Sequence, residues 1–225
     1  MNTFTAQTEA ELLILAAGRI ADTIANCCRQ YGRCSLGIVG GRTIPALLER
    51  LLPYAHSFKG KIDVFWLDER VGPEKNFAPA LSHLEALHKH GVDIAWHPLQ
   101  SLHEESMHIE ARQVEQVLAQ TGESRFDIVV CSAGEDGHVA SLFPQHASLH
   151  VSHLGYVLEE HSPKPPAKRF TVTPMLLTTA KYAFLFVVGE KRHAYDLFLS
   201  QATIEECPAK LLMQVRDLSV LVSLR

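Results

Sequence analysis

The sequence has little of what several classes of protein require. Its five cysteines are odd in number and include no C-x-x-C spacing, which argues against a disulfide framework and a zinc knuckle. Lys and Arg are scattered and the formal net charge is -4, so no basic stripe is available to follow a nucleic-acid backbone. No apolar run approaches a bilayer span, and the N-terminus lacks a basic signal-peptide region. We expect a cytoplasmic protein with reduced, buried thiols and with neither nucleic acid nor membrane as partner.

What is present is an apolar chain in which strand-like and helix-like segments alternate. Its 225 residues, 47% hydrophobic, suffice for a substantial core. Apolar runs predict strands at 35–39, 62–67, 94–96, 127–131, 155–158, 182–188 and 218–222. Helical spacing predicts helices at about 8–30, 76–90 and 104–120. This alternation predicts a Rossmann-like α/β fold with a mostly parallel sheet and helices on both faces. With no repeat or linker, a single domain over 1–225 is expected.

The most informative segment joins an apolar strand to a loop that contains an acid, a glycine and a histidine. The run at 128–131 is apolar, as in a strand covered on both faces. Gly137 and a new helix are expected to flank His138. Asp136 and His138 would then lie beyond the carboxyl end of a parallel strand, where α/β proteins bind ligands. His138 is therefore the main candidate for a catalytic group, although a lone histidine is more often a surface or core residue.

Two further segments follow predicted strands. In Gly40-Gly-Arg-Thr43, Thr43 is a candidate helix N-cap, and free amides at the helix start can bind phosphate. For the two glycines alone, a tight strand-to-helix turn that needs glycine for its geometry is the favoured interpretation. In Asp68-Glu-Arg70, the guanidinium of Arg70 can bind phosphate bidentately, or the three residues can form a solvated charge cluster.

A basic group occurs late in the chain, at Lys164, Arg169, Lys191 and Arg192. The last two residues follow Gly189 in a predicted first helical turn, where a cation is unfavourable unless an anion is bound nearby. A solvated turn is the alternative interpretation. Among other histidines, His83 and His88 lie five residues apart, as do His103 and His108, which misses the i,i+4 spacing of a helical metal pair.

Together these segments resemble the 6-phosphogluconolactonase family, within the wider group that includes glucosamine-6-phosphate deaminases. The segment Gly134-Glu-Asp-Gly-His-Val-Ala-Ser-Leu-Phe-Pro144 is similar to the family signature G-x-D-G-H-T-A-S-L-F-P. Supporting matches are Gly40-Gly-Arg-Thr43, Leu67-Asp-Glu-Arg-Val71, Asn76 and Ser162-Pro-Lys-Pro-Pro-Ala-Lys-Arg169, so the resemblance covers about 8–215. The chain departs from the family pattern at Arg42, Ile44 and Val139. The family lysine after Gly189 falls on Arg192, with Lys191 one place earlier.

The resemblance implies hydrolysis of 6-phospho-D-glucono-1,5-lactone to 6-phospho-D-gluconate in the oxidative pentose phosphate pathway. His138 would be the base that activates water, and Asp136 would orient it or shape the loop. Backbone amides at 132–134, or a nearby cation, would face the oxyanion. The implied substrate-binding residues are Gly40, Gly41, Arg42, Thr43, Asp68, Arg70, Asn76, Gly134, Gly137, Arg169, Lys191 and Arg192.

The resemblance implies no metal and no organic cofactor. The partner is a small phosphorylated sugar lactone, and the chain is expected to be a monomer or a homodimer. Two alternatives stay open at this point. One is a sugar-phosphate isomerase or deaminase of the same fold. The Ser-Leu-Phe-Pro and Ser-Pro-Lys-Pro-Pro segments argue against this alternative and favour the lactonase. The other is a catalytically inactive sugar-phosphate sensor, although a sensor normally needs an output module.

Overall fold

The computed structural model describes residues 1–120 and 124–224, which form two sheets flanked by helices. The large sheet has the strand order β1-β10-β9-β6-β2-β3-β5, and its neighbouring strands are parallel. Its strands are β1 (Asn2–Thr5), β2 (Arg33–Ile38), β3 (Lys61–Trp66), β5 (Ile94–His97), β6 (Ile128–Ser132), β9 (Tyr182–Gly189) and β10 (Asp217–Leu224). The small sheet is antiparallel, in the order β4 (Asp68–Arg70), β8 (Arg169–Val172) and β7 (Tyr156–Glu159).

The helices alternate along the chain with the strands of the large sheet. They are α1 (Glu9–Tyr31), α2 (Thr43–Leu51), α3 (Ala78–Lys89), α4 (Glu104–Gln120), α5 (Pro174–Thr178) and α6 (Arg192–Leu199). The predicted α/β fold with a mostly parallel sheet is thus confirmed. Consecutive residues of β6 are buried, and because successive side chains in a strand point to opposite faces, both faces of the sheet are covered there.

Local sequence signals explain the longest helix. Thr8 caps α1 through a capping box: its hydroxyl accepts from the backbone of Glu11, whose carboxylate accepts from the backbone N–H of Thr8. Gly32 ends the helix in the left-handed conformation with φ of 71°, which favours glycine. Between these ends, α1 buries one apolar face that includes Leu12, Ile20 and Ile24.

A buried carboxylate fixes the amino edge of the central strands. Asp127 Oδ2 accepts from the backbone N and the hydroxyl of Ser35 at 2.8 and 3.0 Å, and its Oδ1 accepts from Lys181 Nζ at 2.8 Å. These bonds connect residues in or beside β2, β6 and β9 at one edge, while the opposite, carboxyl edge carries the site loops.

All five cysteines are buried and form no disulfide, as expected. Among the described residues, no helix is both long and apolar enough to cross a membrane.

Candidate active site at the carboxyl edge of the sheet

A cleft of about 330 Å³ opens at the carboxyl edge of the large sheet. The loops after β2, β6 and β9 line it on one side, and the small sheet with the loop before β8 lines it on the other. Ligands of open parallel sheets bind at this edge. The predicted site residues that line the cleft are Gly40, Gly41, Asp68, Arg70, Asn76, Gly134, His138, Arg169 and Lys191.

Asp136 and His138 form a hydrogen-bonded pair in the loop after β6. Asp136 Oδ1 lies 2.5 Å from His138 Nδ1 and 3.3 Å from the backbone N of His138. Burial opposes ionisation of this carboxyl group, but the hydrogen bonds from His138 outweigh burial and lower its pKa to about 2. An ionised carboxylate only accepts hydrogen bonds, so Nδ1 is the nitrogen that carries the ring proton. In the tautomer that this bond selects, Nε2 is the nitrogen with the free lone pair, and His138 lines the cleft.

The loop that presents this pair is tight and depends on glycine. The N–H of Gly134 donates to the carbonyl of His138 at 2.8 Å, and the N–H of Gly137 donates to the carbonyl of Gly134 at 3.1 Å. A Cβ on Gly134 would lie 1.9 Å from His138 Nδ1, so only glycine leaves room for the ring. Gly137 has φ of 82°, a conformation that side chains disfavour. Both glycines therefore shape the loop, although Gly137 does not line the cleft.

The expectation of a helix directly after His138 is wrong. Val139 and Leu142 form an isolated antiparallel bridge, so the chain turns back on itself. The next helical residues are the 3-10 turn Ala147–His150. The reversal at 139–142 brings Phe143 against the imidazole, with ring centroids 4.7 Å apart. Because Phe143 is fully buried, it gives the histidine a rigid apolar backing.

A second set of hydrogen bonds ties the histidine loop to the small sheet. Ser141 donates its hydroxyl to Asp68 Oδ2 at 2.6 Å and its backbone N–H to Thr171 Oγ1 at 3.1 Å. Asp68 Oδ2 also accepts from Asn76 Nδ2 at 3.2 Å. Ser141 and Thr171 are fully buried, and Asp68 is nearly so. The predicted binding residues Asp68 and Asn76 are thus joined to the loop that carries His138.

Most of the hydrogen-bond donors of Arg169 bind other groups of the protein. Its Nε donates to the carbonyl of Pro166 at 3.3 Å, and its Nη2 donates to the carbonyls of Lys164 and Pro165 at 3.3 and 3.0 Å. Its Nη1 lies 3.9 Å from Asp68 Oδ2. The guanidinium borders the cleft, but these bonds leave it better suited to shaping the wall than to holding a ligand alone.

Arg70 has a more available guanidinium. It lines the cleft, and its Nη1 makes only a long ion pair, 3.6 Å from Glu74 Oε2. Its Nε is buried and has no hydrogen-bond partner among the described residues. A buried donor without a partner is costly, so a bound anion would stabilise this side chain.

Lys191 and Arg192 are separated by the start of α6. Lys191 precedes the helix, and its Nζ donates to Ser132 Oγ at 3.1 Å and to the carbonyl of Ala133 at 2.5 Å, beside the histidine loop. Burial lowers the pKa of this ammonium group from its ordinary value. Arg192 is exposed and pairs with Asp196, with Nε to Oδ1 at 3.0 Å. The structure brings Lys191 into the cleft and leaves Arg192 outside it.

The glycine loop after β2 faces the cleft through its first two residues. A Cβ on Gly40 would lie 2.6 Å from Asn76 Cγ, so glycine permits the close approach of Asn76. Arg42 and Thr43 instead line an adjoining cleft of about 430 Å³, which also includes Gly40, Gly41 and Lys191.

The expectation that Thr43 caps α2 is wrong. The helix begins at Thr43 itself, and the preceding Arg42 has helical φ and ψ of -71° and -27°. No side chain makes a capping hydrogen bond there. The chain enters the helix without the extended residue that a side-chain cap requires.

The backbone amides at 133 and 134 are also not free for an oxyanion. Ala133 N–H donates to the carbonyl of Phe186, and Gly134 N–H donates to the carbonyl of His138. The cation Lys191 is left as the nearby group for that role.

The cleft residues missing from the predicted set are Val39, Ser132, Ala133, Glu135, Ala140, Lys164 and Pro165. Val39, Ala133 and Glu135 adjoin predicted residues in the sequence, and Lys164 belongs to the late basic group that the sequence singles out.

Sequence comparison identifies the family of this chain. The family model for glucosamine-6-phosphate isomerases and 6-phosphogluconolactonases matches residues 7–221. The chain belongs to this family. A 6-phosphogluconolactonase of Borreliella burgdorferi is 32% identical over 212 residues, covering 85% of this chain and 84% of that protein. A 6-phosphogluconolactonase of Mycobacterium tuberculosis is 29% identical over 194 residues, covering 80% and 78%.

Solved structures of the same family share the fold. A 6-phosphogluconolactonase from Shewanella baltica superposes with a TM-score of 0.80 at 21% identity, covering 100% of this chain and 97% of that one. A monomeric glucosamine-6-phosphate deaminase superposes with a TM-score of 0.76, also at 21% identity, covering 99% and 97%. Both activities occur on this fold, so the fold alone does not choose between them.

Proposed function

We propose that this protein hydrolyses 6-phospho-D-glucono-1,5-lactone to 6-phospho-D-gluconate in the oxidative pentose phosphate pathway. The observation that carries the proposal is the Asp136–His138 pair, whose histidine lines a cleft together with Arg70, Lys164 and Lys191. A base beside several cations suits a neutral ester attached to a phosphate. The resemblance of Gly134–Pro144 to the lactonase signature and the two lactonase relatives support the same substrate.

The chemistry needs one proton acceptor that later becomes a donor. In the proposed reaction, Nε2 of neutral His138 takes a proton from water as the water oxygen attacks the lactone carbonyl carbon. The tetrahedral oxyanion then collapses, the bond from carbon to the ring oxygen breaks, and the imidazolium returns the proton to that oxygen. Ionised Asp136 fixes the tautomer and favours the transient imidazolium, as a carboxylate does beside a catalytic histidine.

The cations have separate proposed tasks. Lys191 lies beside Ala133 and Ser132, close to the loop of His138, and is the candidate to stabilise the oxyanion. Arg70 and Lys164 are the candidates to hold the remote phosphate, with Arg169 shaping the loop of Lys164. Anchoring the phosphate orients the ring for attack. Cytoplasmic location, a single domain over 1–225 and a monomeric or homodimeric state stay predictions.

The test is acid release from freshly prepared 6-phosphoglucono-1,5-lactone, followed by titration at constant pH and compared with spontaneous hydrolysis. We expect turnover well above the background. Glucosamine-6-phosphate is the matched substrate for the deaminase alternative, with ammonia release as the readout. Ammonia release without lactone hydrolysis would contradict the proposal, and binding of 6-phosphogluconate without turnover of either compound would indicate a sensor.

A further inference from the structure

A carboxylate outside the predicted set of binding residues lies directly under the substrate-facing loop at 70–77. Glu69, in β4, is fully buried, whereas the sequence suggested a solvated charge cluster as one alternative. Its Oε1 accepts from the backbone N–H groups of Arg70 and Asn76, each at 2.7 Å. Its Oε2 accepts from the backbone N–H of Phe77 at 3.1 Å. One side chain therefore closes both ends of this loop.

A lysine ties the same loop from outside. Lys75 Nζ donates to the carbonyl of Arg70 at 2.9 Å and to the carbonyl of Ser101 at 2.5 Å. The residues fixed between these contacts include Arg70 and Asn76, which both line the cleft. Glu69 holds the backbone that carries Arg70 and Asn76. The direction of these two side chains therefore depends on that backbone and not on the side chains themselves or on their spacing in the sequence.

We propose that Glu69 is a positioning residue whose carboxylate holds Arg70 and Asn76 in the arrangement that binds the phosphorylated substrate. The identity of that substrate rests on the proposed function. Glu69 has no direct contact with the cleft, so its effect on catalysis passes through the loop. It acts on substrate binding more than on the proton transfers at His138.

The charges around Glu69 make its effect dependent on pH. Burial raises the pKa of Glu69 to about 7, against the lowering by the backbone N–H groups of Asn76, Arg70 and Phe77, and Asp68 adds to the rise. The cations that face it are Arg169 on β8 and Lys75 in the loop. A proton added to either oxygen removes the negative charge and turns one acceptor site into a donor, so the hydrogen bonds from the three N–H groups weaken. The loop is therefore expected to loosen as pH falls through about 7.

The variant Glu69→Gln tests the proposal, because the amide keeps the shape of the side chain but replaces one acceptor oxygen with a donor. Asp127→Asn is the matched control: Asp127 is also buried and also accepts from a backbone N–H, but at the opposite edge of the sheet. Each protein is assayed for lactone kcat and KM, for affinity towards 6-phosphogluconate by calorimetry, and for amide hydrogen exchange of the peptide 70–77.

For Glu69→Gln we expect KM and the dissociation constant of 6-phosphogluconate to rise on the order of tenfold, with kcat within about twofold of the parent. Exchange in 70–77 should accelerate by a similar factor, because broken hydrogen bonds expose these amides. Asp127→Asn should unfold at lower temperature but keep the parental affinity. Parental affinity and protection in Glu69→Gln, or loss of kcat with unchanged affinity, would overturn the proposal.

The parent protein provides a test that needs no folded variant. Between pH 8 and pH 6, after correction for intrinsic exchange rates, protection in 70–77 should fall relative to amides of β6. Constant relative protection over this range would contradict the role of the ionised carboxylate. The exchange measurement is independent of turnover, so absence of lactone hydrolysis in the parent would remove the proposed function without deciding the role of Glu69.

Discussion

Replacing Gly134 with alanine probes the histidine loop with a single methyl group. The added Cβ would lie 1.9 Å from His138 Nδ1, 2.0 Å from His138 Cε1 and 2.7 Å from Asp136 Oδ1. Ordinary van der Waals contact begins at 3.4 Å, so the ring has to retreat by about 1.5 Å. That shift is incompatible with the 2.5 Å hydrogen bond between the ring and Asp136.

The expected cost falls on kcat. A displacement of about 1 Å in a reacting group costs on the order of 10²-fold in rate, so Gly134→Ala should lose at least roughly that factor in lactone turnover. Affinity for 6-phosphogluconate, measured by calorimetry, should change far less, because Arg70 and Lys164, the residues proposed to hold the phosphate, stay in place. Gly18→Ala is the matched control: it adds the same methyl group to α1, 3.3 Å from Tyr54 Oη. Full turnover in Gly134→Ala would refute the assignment of His138 in this orientation.

Four further predictions follow from the geometry. Lys191→Met should lower lactone kcat about 10²- to 10³-fold, because it removes the cation proposed to stabilise the oxyanion, whereas Arg192→Met should match the parent, because of these two residues only Lys191 lines the cleft. Equal losses in both would contradict this. Gly40→Ala should raise KM more than it lowers kcat, since its Cβ would lie 2.6 Å from Asn76 Cγ; an unchanged KM would argue against a role for Asn76. Thr8→Ala should cost about 1 kcal/mol of unfolding free energy in urea titration without altering turnover, because it removes the cap of α1; no loss of stability would contradict the capping box. The pKa of Asp136 is lowered from 3.8 to about 2, so its ionised form stabilises the fold above about pH 4 and this contribution is lost as pH falls towards 2. The stability difference between the parent and Asp136→Asn should therefore shrink over that range in acid titration, and a constant difference would contradict the pairing.

Much of the fold could be predicted because its buried strands are short apolar runs. The strands at 128–132 and 182–189 have this character, and both were predicted within a few residues. Among the strands that were missed, β1 and β4 lack this character. β1 is mostly exposed, and β4 consists of Asp68, Glu69 and Arg70, whose charges give no strand signal. β4 is a strand because it pairs with β8, a contact that only the folded chain provides.

In the candidate site, too, contacts between residues close in sequence could be predicted, whereas contacts made only by folding could not. Asp136 and His138 are two residues apart, so the sequence could place them together. Which of Lys191 and Arg192 reaches the cleft depends on where α6 begins. The sequence did contain one indication, because Asp196 lies four residues after Arg192 and can form an ion pair with it on the helix surface. The engagement of Arg169 with the carbonyls of the preceding loop required the fold to be known.

The most direct test of the account compares parent and His138→Ala proteins for lactone turnover, with affinity for 6-phosphogluconate measured on the same preparations. Rapid hydrolysis by the parent, a loss of about 10²- to 10⁴-fold in kcat for the variant and nearly equal affinities are the predicted result. Equal turnover in the two proteins would contradict the role of His138, and no turnover above background in the parent would contradict the proposed activity itself.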